Sequence, residues 1–289
     1  MKTIAITDSN SGISQEEATK LGIKLVPMPF LIDGEEYFED ISLSQQQFYE
    51  KLTENAQVST SQPSLYDLEE LFTNTLKEYD EIVYIPMSSG LSNSCESATA
   101  LANNFNGRVF VVNNKRISVT QKQSVLDALN LIKIGKTASE IKQILEENAL
   151  NSSIYIMVST LKYLKKGGRI TPAAAAIGSL LKIKPILQIQ GEKLDKFSQV
   201  MAFNMGKKKM IDQMVKDLST RFSDDVKNNK INVSIAYTNC IEKAKEFENE
   251  VNTALLPFNL KVECVDPLSL SVACHIGDGA LAVAISQKI

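Results

Sequence analysis

Along most of this chain, short unbroken apolar runs alternate with longer segments whose apolar residues recur at helical spacing. Runs at residues 4–7, 82–85, 109–112, 154–158, 185–189, 233–237 and 262–265 predict strands. Most lack polar alternation, the pattern of strands covered on both faces by helices. Helix starts are written in capping chemistry. Ser14 with Glu17, Ser44 with Gln47 and Thr137 with Glu140 fit capping boxes. Thr171 followed by Pro172 reads as an N-cap with proline at the first helical position, opening a helix over 173–181. Gly135 closes the helix before Thr137. Residues 29–38 break the rhythm, because two extended runs flank Asp33-Gly34 and predict a hairpin with a type I′ turn. The class is α/β. A polar break near Asn151 predicts two domains, 1–152 (with the hairpin as an insertion) and 153–289.

Composition narrows the functions available. With 289 residues, 44% of them hydrophobic, the chain can fill two cores. A net charge of -3 argues against nonspecific nucleic-acid binding, which rests on phosphate neutralisation. No tryptophan and 7% aromatics leave little for base stacking. Cysteines at 95, 240, 264 and 274 have no Cys-x-x-Cys spacing and there is one histidine, so neither a metal site nor a disulfide framework is expected. Buried, inert thiols are. Nothing in the pattern asks for a cofactor. The chain runs directly into a strand at Lys2 without a signal-peptide pattern, and 173–181 is too short to span a bilayer. A soluble cytoplasmic protein without stable membrane insertion is expected.

Charge is uneven along this mildly acidic chain. From Asn148 to Gly191 there is no acidic residue, while Lys162, Lys165, Lys166, Arg169, Lys182 and Lys184 fall in the same window. Within it, Gly167 and Gly168 let the backbone approach a neighbour closely. Arg169 offers a planar fork of donors suited to carboxylate or phosphate. A solvated loop with a positive rim is the plainer explanation of the same residues.

Polar loops follow or precede the expected elements at 7–12, 59–63 and 87–94. Open α/β sheets bind ligands at strand ends, and helix N-termini attract anions, so these loops are candidate anion sites. Ordinary capping by Ser, Thr and Asp accounts for each taken singly. His275 is followed by Gly277 and Gly279, which predicts a tight loop at a ligand; a core histidine is the alternative. Gly90-Leu-Ser92-Asn-Ser94 approaches a Gly-x-Ser-x-Gly nucleophile elbow, with Asp266 and His275 downstream for an esterase using Ser92 and His275. The second glycine is missing, and residues 86–89 separate the strand from Gly90. A soluble anion-binding module is the remaining alternative. No Walker-type loop supports a nucleotide.

Taken in order, Thr7-Asp8-Ser9, Thr60-Ser61-Gln62-Pro63, Ser88-Ser89-Gly90-Leu91-Ser92, Gly167-Gly168-Arg169, Lys182-Ile-Lys-Pro185 and His275-x-Gly277-x-Gly279-Ala280 resemble the DegV family over 2–287. The resemblance implies a two-domain α/β fold, a Rossmann-like parallel sheet followed by a domain with a mixed sheet. It implies one long-chain fatty acid of the palmitate or oleate class, held noncovalently by a carrier that is not itself an enzyme. Carried over by motif, Thr60 and Ser92 would bind the carboxylate, with Ser61, Ser94, Arg169 and His275 nearby. Some family members present the acid to a fatty-acid kinase for phospholipid synthesis, and Lys165, Lys166, Lys207 and Lys208 are the expected docking cations. The chain departs from the family pattern at Asn93, Ser94 and Cys95, where only the hydroxyl at 94 is kept, and at Ile276 and Asp278. It also lacks the arginine that the family places ahead of a helix at 206–220, since none occurs between Arg169 and Arg221.

Overall fold

The computed structural model describes residues 1–52, 56–177 and 183–289, which form two compact units. Met1–Leu150 with Ser269–Ser271 make the first, and Asn151–Leu268 with Val272–Ile289 the second.

The first unit runs β1 (Thr3–Asp8), α1 (Gln15–Leu21), β2 (Lys24–Val26), β3 (Pro29–Ile32), β4 (Glu35–Phe38), α2 (Gln45–Lys51), β5 (Val58–Thr60), α3 (Leu65–Thr75), β6 (Glu81–Ile85), α4 (Ser94–Ala102), β7 (Val109–Val111), α5 (Val119–Lys133) and α6 (Ala138–Glu147). Its main sheet is parallel in the order β2-β1-β6-β7. Every residue of β6 is buried, as the apolar run at 82–85 requires of a central parallel strand, and Glu81 is buried with them. Ile4, Ile6, Phe72, Ile82, Tyr84 and Val109 anchor the core, with the Phe72 ring edge-on to Tyr84 at 5.5 Å and to Phe105 at 5.7 Å. Capping boxes close on both sides at Ser44–Gln47 and Thr137–Glu140, whereas at α1 only the Ser14 half forms. Asp33 (φ 53°) and Gly34 (φ 87°) both take left-handed backbone in the β3–β4 turn, as a type I′ hairpin demands. The hairpin is part of a larger element: β5 adds to β3, giving a β4-β3-β5 sheet that pairs Thr60 with Phe30.

The second unit runs β8 (Ser152–Met157), α7 (Lys162–Gly167), α8 (Pro172–Ala175), β9 (Lys184–Ile189), β10 (Asp195–Val200), α9 (Phe203–Ser219), α10 (Ser223–Lys227), β11 (Ile231–Tyr237), α11 (Ile241–Leu255), β12 (Val262–Pro267), α12 (Leu270–Ile276, its first two residues counted with the first unit) and β13 (Leu281–Gln287). Its mixed sheet has the order β10-β9-β8-β13-β11-β12, parallel only between β11 and β12. Met157, Ile186, Met210, Met214, Phe247, Val251 and Val283 form its core beneath α9 and α11.

Two expectations need correction here. Helix α8 stops at Ala175, a single turn in place of a helix over 173–181, and residues 178–182 lie outside the described ones. Among the described residues of that stretch, Ala174 and Ile177 are buried, while Ala173 and Ala176 face solvent. The thiols also divide: Cys95 and Cys274 are buried, but Cys240 and Cys264 are partly exposed.

Candidate functional site

The parallel sheet reverses its winding between β1 and β6, with β2 outside the one and β7 outside the other. Such a switch point opens a crevice beyond the strands' carboxyl ends, here Asp8 and Ile85. Asp8 is fully buried. Its Oδ1 accepts from the Asn10 N–H at 3.1 Å and Gln121 Nε2 at 3.0 Å, and its Oδ2 accepts from the Met87 N–H at 2.8 Å. Burial raises the Asp8 carboxyl to about 6, against the lowering effect of those donors. Asn10 in turn accepts from the Ser269 and Ser271 hydroxyls. Thr7 donates to the Ile85 carbonyl, Ser9 accepts from the Met28 N–H, and Ser11 bonds Asp8 and Ile13. The 7–12 loop, expected as an anion site, therefore has these polar groups engaged inside the unit. It is a clamp on Met87, at the root of the next loop.

That next loop carries the candidate ligand chemistry. Leu91 and Ser92 both donate backbone N–H groups to the Ser88 carbonyl, and Asn113 Nδ2 donates to Ser89 Oγ at 2.8 Å. Ser92 Oγ accepts the Ser94 N–H at 3.2 Å, which leaves its own proton to donate elsewhere. Ser94 Oγ is buried without a partner. Asn93 makes no side-chain cap on α4, whereas Ser14, Ser44, Ser64 and Thr137 cap α1, α2, α3 and α6. The first turn of α4 thus keeps backbone donors and partial positive charge for an anion. Thr60 reaches the same neighbourhood. It ends β5, and two residues on, Gln62 Oε1 accepts from Ser97 Oγ of α4 at 2.9 Å. The small antiparallel sheet carries Thr60 and the exposed Ser61 just ahead of that contact.

This loop is not a nucleophile elbow. An elbow serine sits on a sharp, strained turn directly after its strand. Ser92 is separated from Ile85 by residues 86–91, has no left-handed backbone, and contributes to the start of α4.

In the second unit the sequence pattern His-x-Gly-x-Gly finds its reason. β13 pairs with β8 in a register that sets Leu281 opposite Met157. Beyond that pair the two segments keep facing each other. A Cβ on Gly279 would stand 2.8 Å from Ser159 Oγ, and one on Gly277 would stand 2.9 Å from Tyr163 Cε2. His275 closes the series against Gly167. The imidazole lies in the last turn of α12, with the glycine turn following it, so the expected loop begins after the histidine. Burial, then the nearby Arg169 charge, lowers its pKa to about 4, and the ring is neutral at physiological pH. Arg169 donates Nη1 to the Gly167 carbonyl. The two glycines before it differ: Gly168 has nothing within 4 Å, and Gly167 alone is closely approached.

Lys162, Lys165, Lys166 and Lys208 are exposed, as a docking face requires. Lys207 is not. It is 7% exposed and ion-paired with Glu250, so it leaves the expected set. Among the described residues no group of His, Cys, Asp and Glu could hold a metal ion, and no helix is long and apolar enough to cross a membrane. Asp8 fell in a loop read as a candidate anion site and holds Met87 instead, while Gln121, which donates to Asp8 from α5, carried no sequence signal.

Comparison with known proteins identifies the family. A curated Clostridium perfringens DegV domain-containing protein is 30% identical over 98% of this chain and 96% of its own length. Bacillus subtilis DegV is 30% identical over 98% of both chains. A solved structure of B. subtilis DegV, described as a fatty acid binding protein, has 28% identity and a TM-score of 0.85 over 100% of both chains. A DegV family protein from Thermus thermophilus, described by its fatty acid binding, has 27% identity and a TM-score of 0.85 over 99% of this chain and 100% of its own. The model of the family described as "Uncharacterised protein, DegV family" matches residues 2–288, and this chain belongs to the DegV family.

Proposed function

We propose that this protein binds one long-chain fatty acid noncovalently, its carboxylate accepting hydrogen bonds from Thr60 and Ser92. The observation that carries this reading is the serine loop at the switch point. Ser92 has a proton left to donate, Ser94 Oγ is buried without a partner, and Asn93 at the start of α4 makes no side-chain cap. Two similar structures, at 27% and 28% identity, are of proteins described as binding fatty acids. In the second unit, Arg169 and the neutral His275 offer a cation and a neutral ring of the kind a carboxylate uses.

A buried carboxylate is costly unless hydrogen-bonded, so such a ligand needs donors at one end and apolar cover along the rest. Each buried methylene contributes about 0.8 kcal/mol, so a tail of about 14 supplies roughly 11 kcal/mol before the cost of association. The tail sets affinity and the hydroxyls set orientation. A ligand of the palmitate or oleate class, which the family resemblance implies, carries a tail of about that length. We further propose that the protein presents the bound acid to a fatty-acid kinase through exposed lysines, itself catalysing nothing. Native mass spectrometry of protein purified from cells tests the first claim. The expected mass is that of the chain plus one fatty acid, lost on organic extraction. A covalent acyl adduct would point to an esterase, and protein that is empty and refuses added palmitate and oleate would overturn the reading.

A further inference from the structure

Adjacent glycines at 167 and 168 are there for different reasons. Gly168 caps α7 with left-handed backbone at φ 68°, donates its N–H to the Leu164 carbonyl at 3.0 Å, and has nothing within 4 Å of where a Cβ would stand. Its requirement is conformational, and Asn would also meet it. Gly167 is inside the helix without left-handed backbone, so its conformation makes no demand for glycine. Space does. A Cβ at 167 would stand 2.9 Å from His275 Cε1 and closer still to Nδ1, nearer than real Cβ contacts come. The carbonyl of the same residue accepts Arg169 Nη1. One residue thus meets both the imidazole and the guanidinium, the first through its bare Cα and the second through its oxygen.

We infer that Gly167 is a positioning residue for the anion-recognising pair His275 and Arg169, which it holds by offering a bare Cα to the ring and a carbonyl to the guanidinium. The inference rests on the fatty-acid reading for its ligand, but the geometry stands without it. A methyl at 167 must displace the imidazole, since the opposing atoms belong to a ring and not to the tip of a flexible chain. The displaced ring gains water, and the burial that keeps it neutral is lost. The ring then loses its place against residue 167, although its own side chain has not been altered, while the carbonyl that accepts from Arg169 is kept by alanine.

Gly167→Ala, Gly168→Asn and the double variant Gly167→Ala/His275→Ala test this with two readouts. His275 is the only histidine, so its imidazole NMR signals are unambiguous. In the wild type the ring stays neutral well below pH 6. In Gly167→Ala its titration is expected to move up toward the ordinary histidine range near 6.5, and palmitate affinity to fall about tenfold, roughly what losing a hydrogen bond to a charged group costs. Gly168→Asn is expected to change neither. In a His275→Ala background, adding Gly167→Ala should cost little further affinity, because the ring it displaces has gone. If Gly167→Ala does not fold and the double variant does, the clash with the ring is demonstrated directly. Wild-type titration and affinity in Gly167→Ala would overturn the inference. A wild type that binds no fatty acid overturns the ligand reading alone, and the imidazole titration still decides the role of Gly167.

Discussion

The carboxylate of Asp8 accepts the backbone N–H of Met87 at 2.8 Å, tying the end of β1 to the root of the serine loop. Its other oxygen is taken by Asn10 and Gln121. Replacing Asp8 with Asn keeps the shape but turns one acceptor into a donor, which must then face either Met87 or the pair Asn10 and Gln121. Asp8→Asn is expected to destabilise the protein by about 1–3 kcal/mol, the cost of leaving a buried polar group unsatisfied. Urea denaturation measures it. Fatty-acid affinity should fall with it, because the Ser88–Ser92 turn hangs from Met87.

The same carboxylate makes stability depend on pH. Burial raises Asp8 from 3.8 to about 6, and burial raises Glu39 from 4.5 to about 7 while it accepts from the Leu270 N–H and Gln45. Both folded-state values exceed the unfolded ones, so the native protein holds protons that the unfolded chain has released. Their contribution is complete below the unfolded pKa values and is lost as pH rises through about 6 and 7. His275 acts in the opposite sense, since its lowered value costs stability as pH falls from about 6.5 toward 4. Between pH 6.5 and 8 the carboxyls govern. Stability should decline across that window, and Asp8→Asn with Glu39→Gln should flatten the decline. A double variant with the wild-type slope would show that other groups set it.

Thr60→Ala and Ser92→Ala should each weaken fatty-acid binding by about 0.5–3 kcal/mol, from an ordinary hydrogen bond at the low end to one with a charged acceptor at the high end. Calorimetric titration with palmitate measures this directly. The melting temperature of ligand-free protein should change little for Thr60, which is partly exposed at a strand end, and slightly more for Ser92, which accepts the Ser94 N–H. Equal binding by both variants would remove the hydroxyls from the site.

Much of this architecture is legible in the sequence because buried parallel strands and capped helices leave local marks. The runs at 4–7 and 82–85 are β1 and β6 to within a residue or so, and Thr137 with Glu140 is a closed capping box. Central β13 left no such mark, since alanines at 282 and 284 suit a helix as well as a strand. Edge strand β10 has mostly polar residues, and β5 is only Val58–Thr60, held by its pairing with β3. The hydroxyl loops were readable from side-chain type alone. The contact of Gly167 with His275 was not, because it depends on how two distant segments come together. Lys207 was readable and passed over: with Met210, Met214 and Leu218 it falls at helical spacing on the buried stripe of α9.

That stripe makes Lys207 a stability residue. Its ammonium pairs with Glu250, which is 45% exposed, and lies 5.9 Å from the Phe203 ring centroid. Removing the carboxylate leaves a buried charge with less compensation, so Glu250→Ala is expected to destabilise by about 1–3 kcal/mol, below the range for a fully buried pair. Lys207→Met fits the apolar stripe and should be close to neutral or mildly stabilising. Chemical denaturation distinguishes them. Equal losses in both would mean that the pair itself, and not the stranded lysine, carries the energy.

With Lys207 withdrawn, the proposed kinase-facing cations are Lys165, Lys166 and Lys208, all exposed. Rim charges act mainly on association rate, and salt screens them over about 8–10 Å. Glutamate at all three positions should slow kinase-dependent acyl-phosphate formation, most at low ionic strength, and leave palmitate affinity unchanged. The chain has no arginine between 169 and 221, so these contacts lack the bidentate fork that makes guanidinium pairs resist salt and geometry changes. The rate should therefore fall steeply with added salt even in the wild type. Steady-state kinetics with a fatty-acid kinase from the same cell, run across a salt series, checks both expectations. A rate indifferent to salt and to the three reversals would leave these lysines as solvated surface with no part in docking.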